Sequence, residues 1–203
     1  MKTCVIIAGG DLSGNVSVPE GALVICADCG YRHAKRLGIV PDVLMGDFDS
    51  YTEPLPPDCP VLVHPAEKDD TDTALAVQYA AEQGCQEIHM YGVFGGERPE
   101  HSIANLQTLH SMALQGLIGV LHHGNTTIRV QSGYAVYPKF TGMLSVFALT
   151  EVCAGVTLHG VKYPLESVEL RSSYPLGVSN EITADFAEVS VDTGLLLIVQ
   201  TLM

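Results

Sequence analysis

Over roughly the first two thirds of the chain, short apolar runs alternate with helical patterns; beyond that the helical period is lost. Cys4–Ala8, Ala22–Ala27, Val43–Met45, Val61–His64 and Ile88–Tyr91 are apolar almost throughout and predict strands. Tyr31–Leu37, Thr73–Gln83 and Ser102–Gly116 predict helices. In the last of these, Ile103, Leu106, His110, Ala113, Leu114 and Leu117 recur at i, i+3, i+7, i+10, i+11 and i+14, which predicts one apolar face. Strands that do not alternate, separated by helices, predict a parallel sheet covered on both sides. Residues 1–132 are therefore expected to form an α/β domain.

Thr52–Pro60 carries four prolines and is expected to be a surface loop. After Gln131-Ser132-Gly133 come short β-rich runs at Met143–Leu149, Val156–Leu158, Val189–Val191 and Leu195–Val199. Gly142, Gly155, Gly160, Gly177 and an expected turn at Asp192-Thr193-Gly194 punctuate them. Residues 133–203 thus predict a small antiparallel sandwich or barrel. About 70 residues make a thin core, so docking on the first domain or on a partner subunit is expected.

Composition narrows the partners. With 47% hydrophobic and 16% charged residues the chain has the profile of a folded protein. Ten Lys and Arg against 23 Asp and Glu leave a net charge of −13, which argues against a nucleic-acid or anionic-membrane surface. A phosphate-bearing small molecule stays open, because a divalent metal bridges anionic protein to anionic phosphate. The apolar start ends at Gly9-Gly10-Asp11, too early for a signal-peptide core. His101–Ile128 lacks acids and bases but holds Asn105, Gln107, His110, Gln115, His122 and His123, so it reads as a buried helix and strand rather than a membrane span. The six cysteines sit mostly in apolar runs, the pattern of a reduced, cytoplasmic protein.

The motif scan excludes much. No Gly-Lys dipeptide occurs and no two glycines are separated by one residue, so neither a Walker A loop nor a G-x-G-x-x-G fingerprint is present. Cys26-Ala27-Asp28-Cys29 is a single C-x-x-C without a second ligand pair, and reads as two packed thiols near a strand end. The carboxylates remain. Nine acids and one base, Lys68, lie between Asp42 and Asp72. Gly46-Asp47-Phe48-Asp49-Ser50 follows one expected strand, and Lys68-Asp69-Asp70-Thr71-Asp72 follows another and opens a helix. Two unit charges ~4 Å apart repel by roughly 4 kcal/mol at an effective dielectric near 20, so such clusters call for a cation or shifted pKa values. Hard oxygen donors favour Mg²⁺, and the carboxyl ends of strands are where α/β sheets bind ligands. The plainer alternative is solvated turn acids, with Asp69 or Asp70 as a helix N-cap. Gly92–His101 is glycine-rich and includes Arg98, whose planar fork suits phosphate. His122 and His123 read as structural strand-end imidazoles.

These residues resemble the thiamine pyrophosphokinase family. Ala27-Asp28-Cys29-Gly30 resembles A-D-G-G, Gly46–Ser50 resembles G-D-[FL]-D-S, and Lys68–Asp72 resembles K-D-x-T-D. Gly95–Asn105 resembles G-G-R-x-D-H-x-x-A-N. In the second half, Gly160-Val161-Lys162-Tyr163-Pro164-Leu165 resembles G-[LV]-K-[WY]-x-L, and Gly177-Val178-Ser179-Asn180-Glu181 resembles G-x-S-N-E. The resemblance implies a Rossmann-like nucleotide domain and a thiamine-binding β-sandwich, in a homodimer with thiamine at the subunit interface. It implies transfer of pyrophosphate from ATP to the thiamine hydroxyl, giving thiamine diphosphate and AMP. By motif position, Asp47, Asp49 and Asp72 are implied as Mg²⁺-binding and catalytic carboxylates, with Asp72 taking the alcohol proton. Asp28, Lys68, Asp69, Thr71, Arg98, His101 and Asn105 are implied at the ATP and metal site, and Ser179 and Asn180 as thiamine contacts. A non-catalytic binding homologue and a metal-dependent phosphohydrolase are the competing readings. The sequence departs from the family pattern at Cys29 (usually glycine), at Glu97 (an extra residue), at Glu100 (usually Asp) and in having no tryptophan.

Overall fold

A computed structural model describes residues 1–48, 51, 54–63, 70–96 and 98–203. Asp49, Lys68 and Asp69, three of the expected site residues, lie outside the described residues, as do His64 and Glu97. The chain forms two compact units, Met1–Gly124 and Asn125–Met203. The division falls earlier than the expected 132/133 boundary, because the Gln131-Ser132-Gly133 stretch lies inside one continuous strand of the second unit.

The first unit contains β1 (Thr3–Ile7), β2 (Leu23–Ala27), α1 (Gly30–Leu37), β3 (Val43–Gly46), β4 (Val61–Val63), α2 (Asp72–Glu82), β5 (Glu87–Tyr91), α3 (Pro99–Leu114) and β6 (Ile118–His123). The strands pair in the order β6-β5-β1-β2-β3-β4, every pair parallel. Alternation divides the sheet's side chains between its faces. Val5, Ile7, Val24, Cys26 and Leu44 pack with Ala34 of α1. The opposite face carries Cys4 and Ile88 in register with Gly119. There a β-carbon at Gly119 would run into Leu109 and Met112 of α3, so the helix sits directly on the strand. Both faces are thus covered, which is why these strands are apolar without alternation.

α3 does not present the expected face. Asn105, Leu109 and Met112 are its buried residues, whereas Ile103 and Leu114 are 63% and 71% exposed. Apolar residues surround this helix almost completely, so periodicity does not single out the stripe that meets the sheet. No helix among the described residues is long and apolar enough to cross a membrane.

The second unit is antiparallel: β7 (Thr126–Pro138), β8 (Gly142–Ala148), β9 (Val152–His159), β10 (Leu165–Arg171), β11 (Gly177–Asn180) and β12 (Phe186–Leu202). β12 is the organising strand. Its first part pairs with β7 and β9, its second part with β7 and β8. The expected turn at Asp192-Thr193-Gly194 is instead a register shift within this strand, between Val191 and Leu196. A glycine-bearing interruption marks a bulge as readily as a turn, and here both flanks keep the same partner. Leu144, Val146, Val156, Leu158, Val189, Leu196 and Ile198 fill the core of this unit.

One close approach in the first unit is decisive. A β-carbon at Gly30 would overlap the carbonyl oxygen of Ile7, so α1 starts in direct backbone contact with β1. Gly30→Ala is expected to destabilise the protein by about 3 kcal/mol, read from the denaturant midpoint.

Candidate active site

The strand order reverses between β1 and β5: from β1 the chain runs outward through β2, β3 and β4, then returns to β5 on the other flank. The loops that leave β1 and β5 stay together for a few residues. Gly10 N–H donates to the Gly92 carbonyl at 2.7 Å and Asp11 N–H to that of Phe94 at 2.9 Å. Beyond them lies a cleft of about 500 Å³ at the carboxyl ends of the strands. This is the topological position at which open α/β sheets bind ligands.

Three helices begin on this cleft. Asp28 and Cys29 line it ahead of α1, Thr71, Asp72 and Thr73 at the start of α2, and Arg98 and His101 at the start of α3. Helix N-termini carry partial positive charge and unpaired N–H groups, so their convergence favours an anion even in an acidic chain. The cap of α2 is Thr71, whose Oγ1 accepts from Ala74 N–H at 3.2 Å, rather than Asp69 or Asp70. Asp72 then falls in the first turn.

Asp28, Thr71, Asp72, Arg98, His101 and Asn105 all line the cleft, as the motifs imply. Asp47 is half-buried just past β3 and is not on the cleft wall. Its neighbours nevertheless connect it to Asp28: Asp28 N–H donates to the Met45 carbonyl at 2.7 Å. Asp28 and Phe48 have φ of 48° and 55°, left-handed conformations that cost about 1–3 kcal/mol each and collect at functional sites. Cys29 itself is right-handed helical, φ −63°, so its β-carbon meets no backbone objection. What makes room for it is Gly9, where a β-carbon would stand 3.0 Å from that of Cys29.

The glycine-rich loop is held from several sides. Asn105, 4% exposed, donates from Nδ2 to the Val93 carbonyl at 2.7 Å. Gly95 N–H donates to Ser102 Oγ at 3.2 Å, and Gly96 N–H to Asp11 Oδ2 at 3.0 Å. At the rim, Arg98 Nε donates to Glu100 Oε1 at 2.9 Å, which holds the Glu100 carboxyl below its usual range. Arg98 therefore faces the cleft with a carboxylate beside it.

Residue-type reasoning missed Gly9, Gly10, Arg32 and Thr73, which also line the cleft. Gly9-Gly10 directly after the first apolar run was the available signal. Arg32 lies one turn beyond Asp28, its guanidinium 5.4 Å from the Tyr51 ring.

In the second unit, Asn180 ties two motif segments together. Its Oδ1 accepts from Tyr163 N–H and Glu181 N–H, each at 3.0 Å, and its Nδ2 donates to the Tyr163 carbonyl at 2.8 Å. Ser179 is exposed with φ 58°, its N–H donating to Ser145 Oγ at 2.9 Å. Tyr163 is left with its ring 60% exposed.

Comparison with known proteins now bears on both units. Residues 18–119 match the family model for the thiamin pyrophosphokinase catalytic domain, and 125–196 that for its vitamin B1 binding domain. A thiamine pyrophosphokinase of Bacillus subtilis is 31% identical, the match covering 99% of each chain. The chain belongs to the thiamine pyrophosphokinase family. A crystal structure of the Bacillus subtilis enzyme superposes with a TM-score of 0.91 at 29% identity over 99% of both chains. That of Geobacillus thermodenitrificans thiamin pyrophosphokinase does so with a TM-score of 0.85 at 26% identity, covering 98% of this chain and 97% of that one. Yeast thiamin pyrophosphokinase, at 11% identity, shares the fold with a TM-score of 0.75 over 98% of this chain and 86% of its own. The mixed α/β fold is thus that of the family.

Thiol chemistry offers a direct view of the cleft. Cys29 is partly exposed on its wall, whereas burial pushes the Cys26 thiol up to about 12 and raises that of Cys4 as well. Because the thiolate is the reacting species, iodoacetamide at pH 8 should alkylate Cys29 and spare Cys26 and Cys4. Peptide mapping with and without ATP should show Cys29 protected by the nucleotide.

Proposed function

We propose that this protein transfers the pyrophosphoryl group of ATP to the hydroxyl of thiamine, giving thiamine diphosphate and AMP. One observation carries the reading: the two compact units match, one each, the catalytic and the vitamin B1 binding models of the same family. In this reading the first unit is a Rossmann-like nucleotide domain and the second a thiamine-binding β-sandwich. The three helix N-termini receive the polyphosphate, with Arg98, His101 and Asn105 on the side of the glycine-rich loop.

Asp28, Thr71 and Asp72 bring oxygen donors to the cleft. Such a set fits a hard divalent cation, so Asp72, Asp47 and Asp49 would hold Mg²⁺, with Asp28 near them. When bound it would neutralise charge on the phosphate oxygens. In the transfer, the thiamine oxygen forms a bond to the β-phosphorus and the bond from that phosphorus to the α–β bridging oxygen breaks. The alcohol proton passes to the Asp72 carboxylate and AMP leaves. The protein's share is mainly positioning and charge stabilisation. Lys68 and Asp69 complete the motif around Thr71.

Ser179, with the exposed ring of Tyr163, is the thiamine-facing part of the second unit. Asn180 acts there by fixing Tyr163, since both acceptor positions of its Oδ1 are used within the chain. The working form is a homodimer in the cytoplasm, thiamine lying at the subunit interface; six cysteines outside any disulfide suit a reducing compartment.

With ATP, Mg²⁺ and thiamine, chromatography should resolve AMP and thiamine diphosphate in equal amounts, and EDTA should stop both. Asp72→Asn should lower the rate about 100-fold or more. Phosphate release that needs no thiamine would instead indicate a hydrolase.

A further inference from the structure

The Gly9-Gly10-Asp11 loop belongs to none of the motifs, yet four hydrogen bonds join it to the cleft. Three tie it to the glycine-rich loop: Gly10 N–H to the Gly92 carbonyl, Asp11 N–H to the Phe94 carbonyl, and Gly96 N–H to Asp11 Oδ2. The fourth comes from α1, where His33 Nε2–H donates to the Gly10 carbonyl at 2.8 Å. Gly95, at φ 73°, turns the chain so tightly over the Asp11 carboxylate that a β-carbon there would overlap it. At Gly10 a β-carbon would stand 2.6 Å from the Gly92 oxygen. The two loops therefore form one double-layered wall, with His33 behind it and the cleft in front.

Two amides of the glycine-rich loop are already engaged. Gly95 N–H donates to Ser102 Oγ and Gly96 N–H to Asp11, so neither points a free donor at a ligand. What the loop contributes to nucleotide binding is then its shape, together with the Arg98 and His101 that follow it. That shape depends on a carboxylate accepting at Gly96.

We propose that Asp11 is a positioning residue for ATP, supported by His33: its carboxylate sets the glycine-rich loop, and through it the wall that meets the polyphosphate. The proposal rests on the ATP-dependent reading of this cleft. Asp11 itself touches no reacting atom. It acts as an acceptor of defined geometry, not as a charge.

The test is a set of three variants in the full-length protein, Asp11→Ala, Asp11→Asn and His33→Phe, assayed for KM of ATP, KM of thiamine and kcat. Asp11→Ala is expected to raise KM for ATP about tenfold, the scale of one lost hydrogen bond, and to leave KM for thiamine unchanged. Asp11→Asn, whose amide oxygen still accepts from Gly96, should stay within about twofold of the parent. His33→Phe should shift KM for ATP in the same direction as Asp11→Ala. A general structural loss would move both KM values and would not be rescued by Asn, which would overturn the proposal. Tighter ATP binding in Asp11→Ala would overturn it too, making the carboxylate an obstacle. Calorimetric titration of Mg·ATP into the same proteins separates this from the parent reading. If the unaltered protein forms no AMP but binds ATP, and Asp11→Ala weakens that binding, the transfer reading fails and the positioning role stands.

Discussion

Everything at the candidate site follows from the adjacency of β1 and β5 in a fully parallel sheet. Parallel neighbours send their chains out at the same end, but here the two continue toward opposite flanks, one to β2 and the other to α3 and β6. The divergence leaves a cleft at that end of the sheet. A parallel strand must be followed by a return crossover, so helix starts gather at that same end. The cleft, its three helix N-termini and the carboxylates Asp28 and Asp72 are consequences of one pairing choice.

That geometry reconciles an acidic protein with an anionic ligand. The chain carries a net charge of −13, and its carboxylates stand on the wall a polyphosphate would face. Helix ends supply positive potential without basic side chains, and a divalent cation at the carboxylates would supply the remainder. The few bases near the cleft are correspondingly constrained: Arg98 by Glu100, Arg32 over the face of Tyr51. Placement of charge, rather than its sum, governs binding here.

How much of this was legible in the sequence varied with the physical origin of each element. The strands of the first unit were, because a strand buried on both faces must be apolar throughout, as Val5, Ile6 and Ile7 are. Of the residues the motifs singled out, Asp28, Asp72, Arg98, His101 and Asn105 share one cleft, whereas Asp47 stands off its wall. The buried face of α3 was not: Ile103 and Leu114 are as apolar as Leu109, and only the strand beneath decides between them. β7 was hidden because Arg129, Gln131, Ser132 and Gly133 interrupt its β-branched and aromatic residues. Asp11 was hidden for another reason. Its importance comes from a partner, Gly96, far along the chain, and no local pattern records that.

One feature of the second unit bears on its dynamics. β12 pairs with β7 and β9 over its first part and with β7 and β8 over its second, and the register shift after Val191 only redirects it. The pairings of β7, β8 and β9 all depend on this one strand. The unit should therefore behave as a single cooperative foldon, in which the amides of Val189 and Ile198 exchange with solvent only when the whole unit unfolds. Ser179, exposed on β11, is tied to that support through the pairing of β11 with β8.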